Sequence, residues 1–230
     1  MKPIGLIGGL TYVSTLEYYR YLNELANEKL GGSEAAEIIM YSVNFGEIKK
    51  LTEAEDWKSI SRIICKVAQI IQADGAACLL IGANTMHKIA DEVQAAIKIP
   101  VIHIAEAVAK DVLKAGLKKV GLLGTRYTMQ LGFYADHLAK HGIETMIPEQ
   151  KDIEFINYTI YNEFSKNIFL PETKAAYLKI ISKLKERGAE GIILGCTEIP
   201  ILLKQSDWDI LLFDTAKIHS AAGVVYVLNQ

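Results

Sequence analysis

Short apolar runs alternate with amphipathic stretches along the whole chain. Ile4–Gly8 is the first such run, closed by Gly8-Gly9 and followed by a helical pattern around 14–29. The pattern predicts strands over 36–43 and 77–81, an amphipathic helix over Trp57–Ala73 between them, and another helix over about 86–96. A short strand over 100–104 leads into a helix over 105–113. The pattern then restarts: Val-Gly-Leu-Leu-Gly at 120–124 echoes Ile-Gly-Leu-Ile-Gly at 4–8, and Phe133-Tyr134 echoes Tyr18-Tyr19. A helix over 174–187 precedes a strand over 191–194, as Trp57–Ala73 precedes 77–81. Continuous apolar strands alternating with helices predict an α/β protein whose parallel sheets are covered on both faces. The ordered echoes predict two similar halves, with 115–119 near their junction. The last strand and helix, 211–213 and 218–228, are expected to return to the first half. The lobes are drawn at 1–100 with 215–230, and at 101–214.

Half of the 230 residues are hydrophobic and 23% are charged, enough to bury a sizeable core. The net charge of −2, with both signs interspersed, excludes a nucleic-acid footprint. No apolar run approaches the roughly 20 residues needed to cross a bilayer. The first residues lack the apolar core and cleavage site of a signal peptide. Cys65, Cys78 and Cys196 form no disulfide framework and no CxxC pair, so a reducing cytoplasm is the expected location.

The candidate chemistry lies in two loops about half the chain apart, Gly82-Ala83-Asn84-Thr85 and Gly195-Cys196-Thr197-Glu198. Each follows an apolar strand and precedes a helical stretch, so each belongs at the carboxyl edge of a sheet, where open α/β folds bind ligands. Thr197 is expected to cap the next helix, with Pro200 in its first turn. That helix end is expected to lower the Cys196 pKa and favour the thiolate. Cys65 and Cys78 read as structural. Asn84 and Thr85 suit either helix capping or a substrate carboxylate, and the Gly8-Gly9-Leu10-Thr11 turn is a candidate carboxylate cradle. His87 reads as a solvated helical residue. His103, His137, His141 and His219 show no metal-site spacing, and no phosphate loop, dinucleotide fingerprint or serine elbow is present. Neither a metal nor a cofactor is expected.

At these residues the chain resembles the aspartate/glutamate racemase superfamily, in its cofactor-independent aspartate racemase branch. The stretches that carry the likeness are Ile4–Gly8 with Gly9-Leu10, Ser14-Thr15, Tyr18-Tyr19-Arg20, Asn84-Thr85-Met86-His87, 122–129, 195–199, Phe213-Asp214-Thr215 and Ile218-His219. The resemblance implies two flavodoxin-like three-layer αβα lobes related by a pseudo-twofold, with a substrate cleft between them. It also implies a homodimer, no pyridoxal phosphate, and an amino-acid or dicarboxylate substrate. It makes Cys196 one acid/base at the α-carbon and places Asn84, Thr85, Thr197 and Glu198 around the amino and α-carboxylate groups. Leu10 and Thr125 fall on turns that close the cleft. Lys166 is the family-based candidate for the distal carboxylate, with Lys49, Lys50 and Arg126 as other cations. The family's other acid/base, cysteine or in some members threonine, falls on Ala83, which has no titratable proton. The readings that follow are an aspartate or glutamate racemase, a single-thiol decarboxylase of malonate-type acids, and a non-catalytic small-acid-binding protein.

Overall fold

β1 (Ile4–Gly8) is buried at all five residues and runs between β2 (Ile38–Ser42) and β3 (Cys78–Ile81) in a parallel three-stranded sheet. The computed structural model describes residues 1–230, which divide into two compact units: Met1–His103 with His219–Gln230, and Ile104–Ile218. In the first unit α1 (Tyr12–Leu30) follows β1, while α2 (Phe45–Glu53) and α3 (Trp57–Ala73) connect β2 to β3. α3 matches its sequence expectation because its signals are local. The Asp56 carboxylate accepts from the Ser59 amide at 3.0 Å, and Ile60, Ile64, Val67 and Ile71 repeat at helical spacing on the buried face. Burial of each aliphatic side chain of this kind stabilises by about 1.5–3 kcal/mol.

Three expectations in this unit are corrected. The helix expected over 86–96 is a 3-10 turn, Thr85–Ile89, followed by α4 (Ala90–Ala96), and the Asn84 side chain makes no capping bond at its start. The strand expected over 100–104 is a single bridge, in which Leu79 accepts from the Ile102 amide and donates to the Pro100 carbonyl, both at 2.9 Å.

His87 is buried, not solvated. Its ring lies 4.8 Å from that of His103 and 5.3 Å from that of His219. The His219 Nε2–H donates to the Ile102 carbonyl at 2.6 Å, which leaves Nδ1 to accept from the Tyr18 hydroxyl at 2.8 Å. Burial pushes the His87 pKa well below its ordinary value and that of His219 down to about 3.

Gly9 turns the chain out of β1 with φ +73°, and a Cβ there would collide with the backbone oxygen of Val43. Gly9→Ala is expected to destabilise the protein by at least about 1–2 kcal/mol from the left-handed conformation alone. Urea unfolding measures this, and an unchanged midpoint would contradict the stated cause.

The second unit begins with α5 (Ile104–Lys114) and β4 (Lys119–Gly124), then α6 (Arg126–Gln130), α7 (Phe133–Ala139) and β5 (Glu144–Met146). α8 (Gln150–Asn162), α9 (Pro171–Glu186), β6 (Gly191–Gly195), α10 (Ile199–Leu202), β7 (Leu211–Asp214) and α11 (Thr215–Leu228) follow. Its sheet is wholly parallel, in the order β5-β4-β6-β7. β7 therefore pairs beside β6 in the second sheet and does not return to the first, whereas α11 passes into the first unit from His219 onward. Val120, Leu122, Ile192 and Ile193 from the strands pack with Tyr134 and Leu138 of α7 and with Tyr177 and Leu184 of α9. The protein is thus α/β, with two parallel sheets flanked by helices. No helix is long and apolar enough to cross a membrane.

Candidate active site

In the first unit β1 and β3 are neighbours, so the turns beyond Gly8 and Ile81 lie at the same sheet edge. Leu10, Thr11, Asn84 and Thr85 are all buried there, and Ala83 is half-buried against the apolar cluster around Ile7 and Ile81. The Ala83 carbonyl accepts from the His87 imidazole at 3.0 Å, which ties the loop to the buried histidines. Thr11 caps α1 by accepting from the Ser14 amide at 3.1 Å. The Gly9 amide donates to Thr15 Oγ1 at 2.8 Å, so the expected carboxylate cradle at Gly8–Thr11 has this donor already occupied.

In the second unit β4 and β6 pair with Gly124 beside Gly195, which places the turns at Thr125 and Cys196 side by side. Thr125 is buried and caps α6, accepting from the Thr128 amide at 3.2 Å. Cys196, Thr197 and Glu198 are also buried. The Cys196 thiol and the Thr197 hydroxyl both donate to Glu198 Oε2, each at 3.0 Å. β7, on the other side of β6, contributes a further tie, since the Thr215 hydroxyl donates to the Leu194 carbonyl at 2.9 Å.

This arrangement overturns the thiolate expectation. The pKa of Cys196 is raised well above the ordinary thiol value, first by burial and then by the neighbouring Glu198 carboxylate. The backbone amides of Glu198 and Ile199 do pull it down, as a helix N-terminus should, but the two opposing effects are larger. Thr197 does not cap α10, because its hydroxyl is given to Glu198, although Pro200 does occupy the first turn. Cys78 fits its structural reading, with burial raising it to about 12.

Of the candidate cations, Lys49 pairs with Glu53 at 3.8 Å, and the Arg126 guanidinium donates to the Tyr127 hydroxyl at 2.7 Å. Lys166 is the exposed end of a 3-10 turn, Phe164–Lys166, whose Phe164 is buried, and Lys50 is exposed on α2. The first unit thus brings together Leu10, Ala83, Asn84 and Thr85, and the second Thr125, Cys196, Thr197 and Glu198. The direct Cys196–Glu198 contact was not foreseen. The sequence held its only signal, a carboxylate two residues beyond a strand-end thiol.

A family model described as Asp/Glu/Hydantoin racemase matches residues 7–223. The crystal structure of a Yersinia pestis protein is 43% identical, with a TM-score of 0.91 over 99% of this chain and 100% of that one. An aspartate racemase homologue from Pyrococcus horikoshii OT3 is 35% identical, with a TM-score of 0.85 over the full length of both chains. Among curated proteins, the broad specificity amino-acid racemase RacX of Bacillus subtilis is 24% identical over 161 residues, 70% of this chain and 69% of that protein. A glutamate racemase from a Picosynechococcus strain is 25% identical over 203 residues, and the match covers 64% of that protein.

Proposed function

The chain belongs to the Asp/Glu/hydantoin racemase family, and from that premise we propose that it moves a proton at the α-carbon of aspartate or glutamate without a cofactor, using Cys196 as acid/base. The observation that carries the proposal is the buried thiol 3.0 Å from the Glu198 carboxylate at a strand end. An α-proton is very weakly acidic, so the base must be strong and water must be kept away. In the proposed abstraction the thiol proton passes to Glu198 Oε2 and the thiolate sulfur takes the α-proton. The thiolate lone pair forms the new S–H bond, and the electron pair of the broken C–H bond stays on carbon as the carbanion. The reverse sequence returns the proton. Thr197 holds the Glu198 carboxylate in place, Asn84 and Thr85 with Thr197 and Glu198 surround the amino and α-carboxylate groups, Leu10 and Thr125 lie on the turns that close the site, and Lys166 meets the distal carboxylate. A homodimer in a reducing compartment, where the three free thiols persist, completes the proposal.

The opposite face is assigned to Ala83, which cannot exchange a proton. One observation favours a second reading, decarboxylation of a substituted malonate. The raised pKa of Cys196 keeps its thiol protonated at rest, which suits a group that only donates. There the bond to the departing carbon dioxide breaks, its electron pair stays on the α-carbon, and the Cys196 proton closes it.

Incubation with L- and D-aspartate or glutamate in deuterium oxide tests the proposal. Exchange with retained configuration means one base, and exchange with inversion a second one. Restoring the opposite group by Ala83→Cys or Ala83→Thr is expected to raise racemisation by roughly 10²–10⁴-fold, the usual contribution of a positioned acid/base. If both variants stay inert while malonates release carbon dioxide, the decarboxylase reading replaces the racemase. Binding with no turnover of either substrate leaves a small-acid-binding protein.

A further inference from the structure

The second unit holds a cluster of metal-ligating side chains outside both loops. Glu106 lies in the first turn of α5, His137 on α7, and His141 one turn later, just past the end of α7. His137 Nε2 lies 3.1 Å and His141 Nε2 2.7 Å from the same oxygen, Glu106 Oε2. All three ligating atoms lie within 4.8 Å of one another. We propose that Glu106, His137 and His141 form a zinc site that ties α5 to α7.

Geometry and chemistry carry the proposal together. His137 and His141 are four residues apart across the C-terminal end of α7, and both meet one carboxylate from an element about 30 residues earlier in the chain. α5 and α7 are held together by the buried core to which Val108, Val112, Tyr134 and Leu138 belong, so the three groups are brought together before any ion arrives. Two imidazoles converging on one oxygen are arranged as ligands around a common point. With each proton on Nδ1 instead of Nε2, the two Nε2 lone pairs and an Oε2 lone pair face an ion between them. The tautomer change releases no proton from a neutral imidazole.

Two nitrogen ligands and one carboxylate suit Zn²⁺, whereas Mg²⁺ and Ca²⁺ require oxygen-rich shells. The side chains are 20%, 26% and 34% exposed for His137, His141 and Glu106, so water can reach the fourth tetrahedral position. Lys110 Nζ lies 3.2 Å from Glu106 Oε1, which engages the other carboxylate oxygen and leaves Oε2 for the ion.

The test uses the full chain, stripped with chelator and titrated with zinc chloride by calorimetry. One ion per chain is expected, together with a melting temperature that rises with free zinc. Cobalt in place of zinc should give the intense visible bands of a four-coordinate ion. His137→Gln and His141→Gln should each weaken zinc binding by more than about 100-fold, beyond what outer-shell changes commonly cost. The double variant should lose both the binding and the thermal shift. Both histidines are partly exposed and glutamine is of similar size; circular dichroism of the metal-free variants checks that they are folded. The proposal is overturned if the parent chain binds no zinc, or if the double variant binds it as tightly as the parent. The second outcome would assign the ion elsewhere, for example to the thiols of Cys65 or Cys196.

Discussion

Cys196→Ala is expected to abolish deuterium exchange at the α-carbon of aspartate and glutamate, a loss of at least roughly 10²–10⁴-fold. Cys196→Ser should fare little better, because a hydroxyl is a far weaker acid than a thiol. Exchange that survives either change at the parental rate would remove Cys196 from the reaction. The Glu198 contact adds a sharper expectation. If the thiol proton passes to Glu198, the pair carries the same number of protons before and after the transfer. Exchange should then vary little with pH between about 7 and 9. In Glu198→Gln the thiol must instead lose its proton to solvent, against a pKa that burial holds high. The rate of that variant should be lower and should climb by up to about tenfold per pH unit over the same range. A parent rate that climbs equally steeply would show that Glu198 does not take the proton.

The second large effect is expected in acid. His87 and His219 are buried with folded-state pKa values far below the ordinary value of 6.5, that of His219 near 3. Below pH 6.5 the unfolded chain takes up protons on these imidazoles and the folded chain does not. The unfolded state therefore binds more protons, and stability falls as pH falls. Each buried histidine adds up to one proton to this slope as the unfolded imidazole becomes fully protonated, and His219 stops contributing only near pH 3. The depressed carboxylate of Glu106, near 2, acts in the same direction but only from about pH 4.5 downward. The interval from 6.5 to 4.5 thus isolates the histidines. Urea unfolding at several pH values across it should show stability falling as the pH falls, more steeply toward pH 4.5. His219→Gln loses the Tyr18 and Ile102 contacts and should be less stable at neutral pH, but its slope should be smaller by up to one proton. A slope equal to that of the parent would refute the assignment.

The sequence was legible wherever the deciding signals are close together along the chain. Trp57–Ala73 has its cap, its stripe and its stop within one segment, and the buried strands declare themselves by unbroken apolar runs. The pattern was misleading where one residue decides. The run at 100–104 is apolar, yet Val101 makes only one bridge. β5 is three residues long at a sheet edge, too short to produce a period. At the candidate site, placement was readable and electrostatics were not. Cys196 stands at the strand end as its neighbours require, but its protonation depends on how deeply the fold buries it and on where the Glu198 side chain turns. The three groups on α5 and α7 were invisible for a related reason. Two of them are four residues apart, but the carboxylate that gives them meaning lies on another helix.

The division of the chain also bears on its synthesis. The second unit is one continuous segment, 104–218, while the first needs residues from both sides of it. A growing chain ordinarily completes its domains in the order in which they are made. Here residues 1–103 emerge first but lack the helix that brings His219 to Tyr18 and Ile102. They must wait, with that side of their core uncovered, while the intervening segment is made and folds. The unit that starts first is finished last.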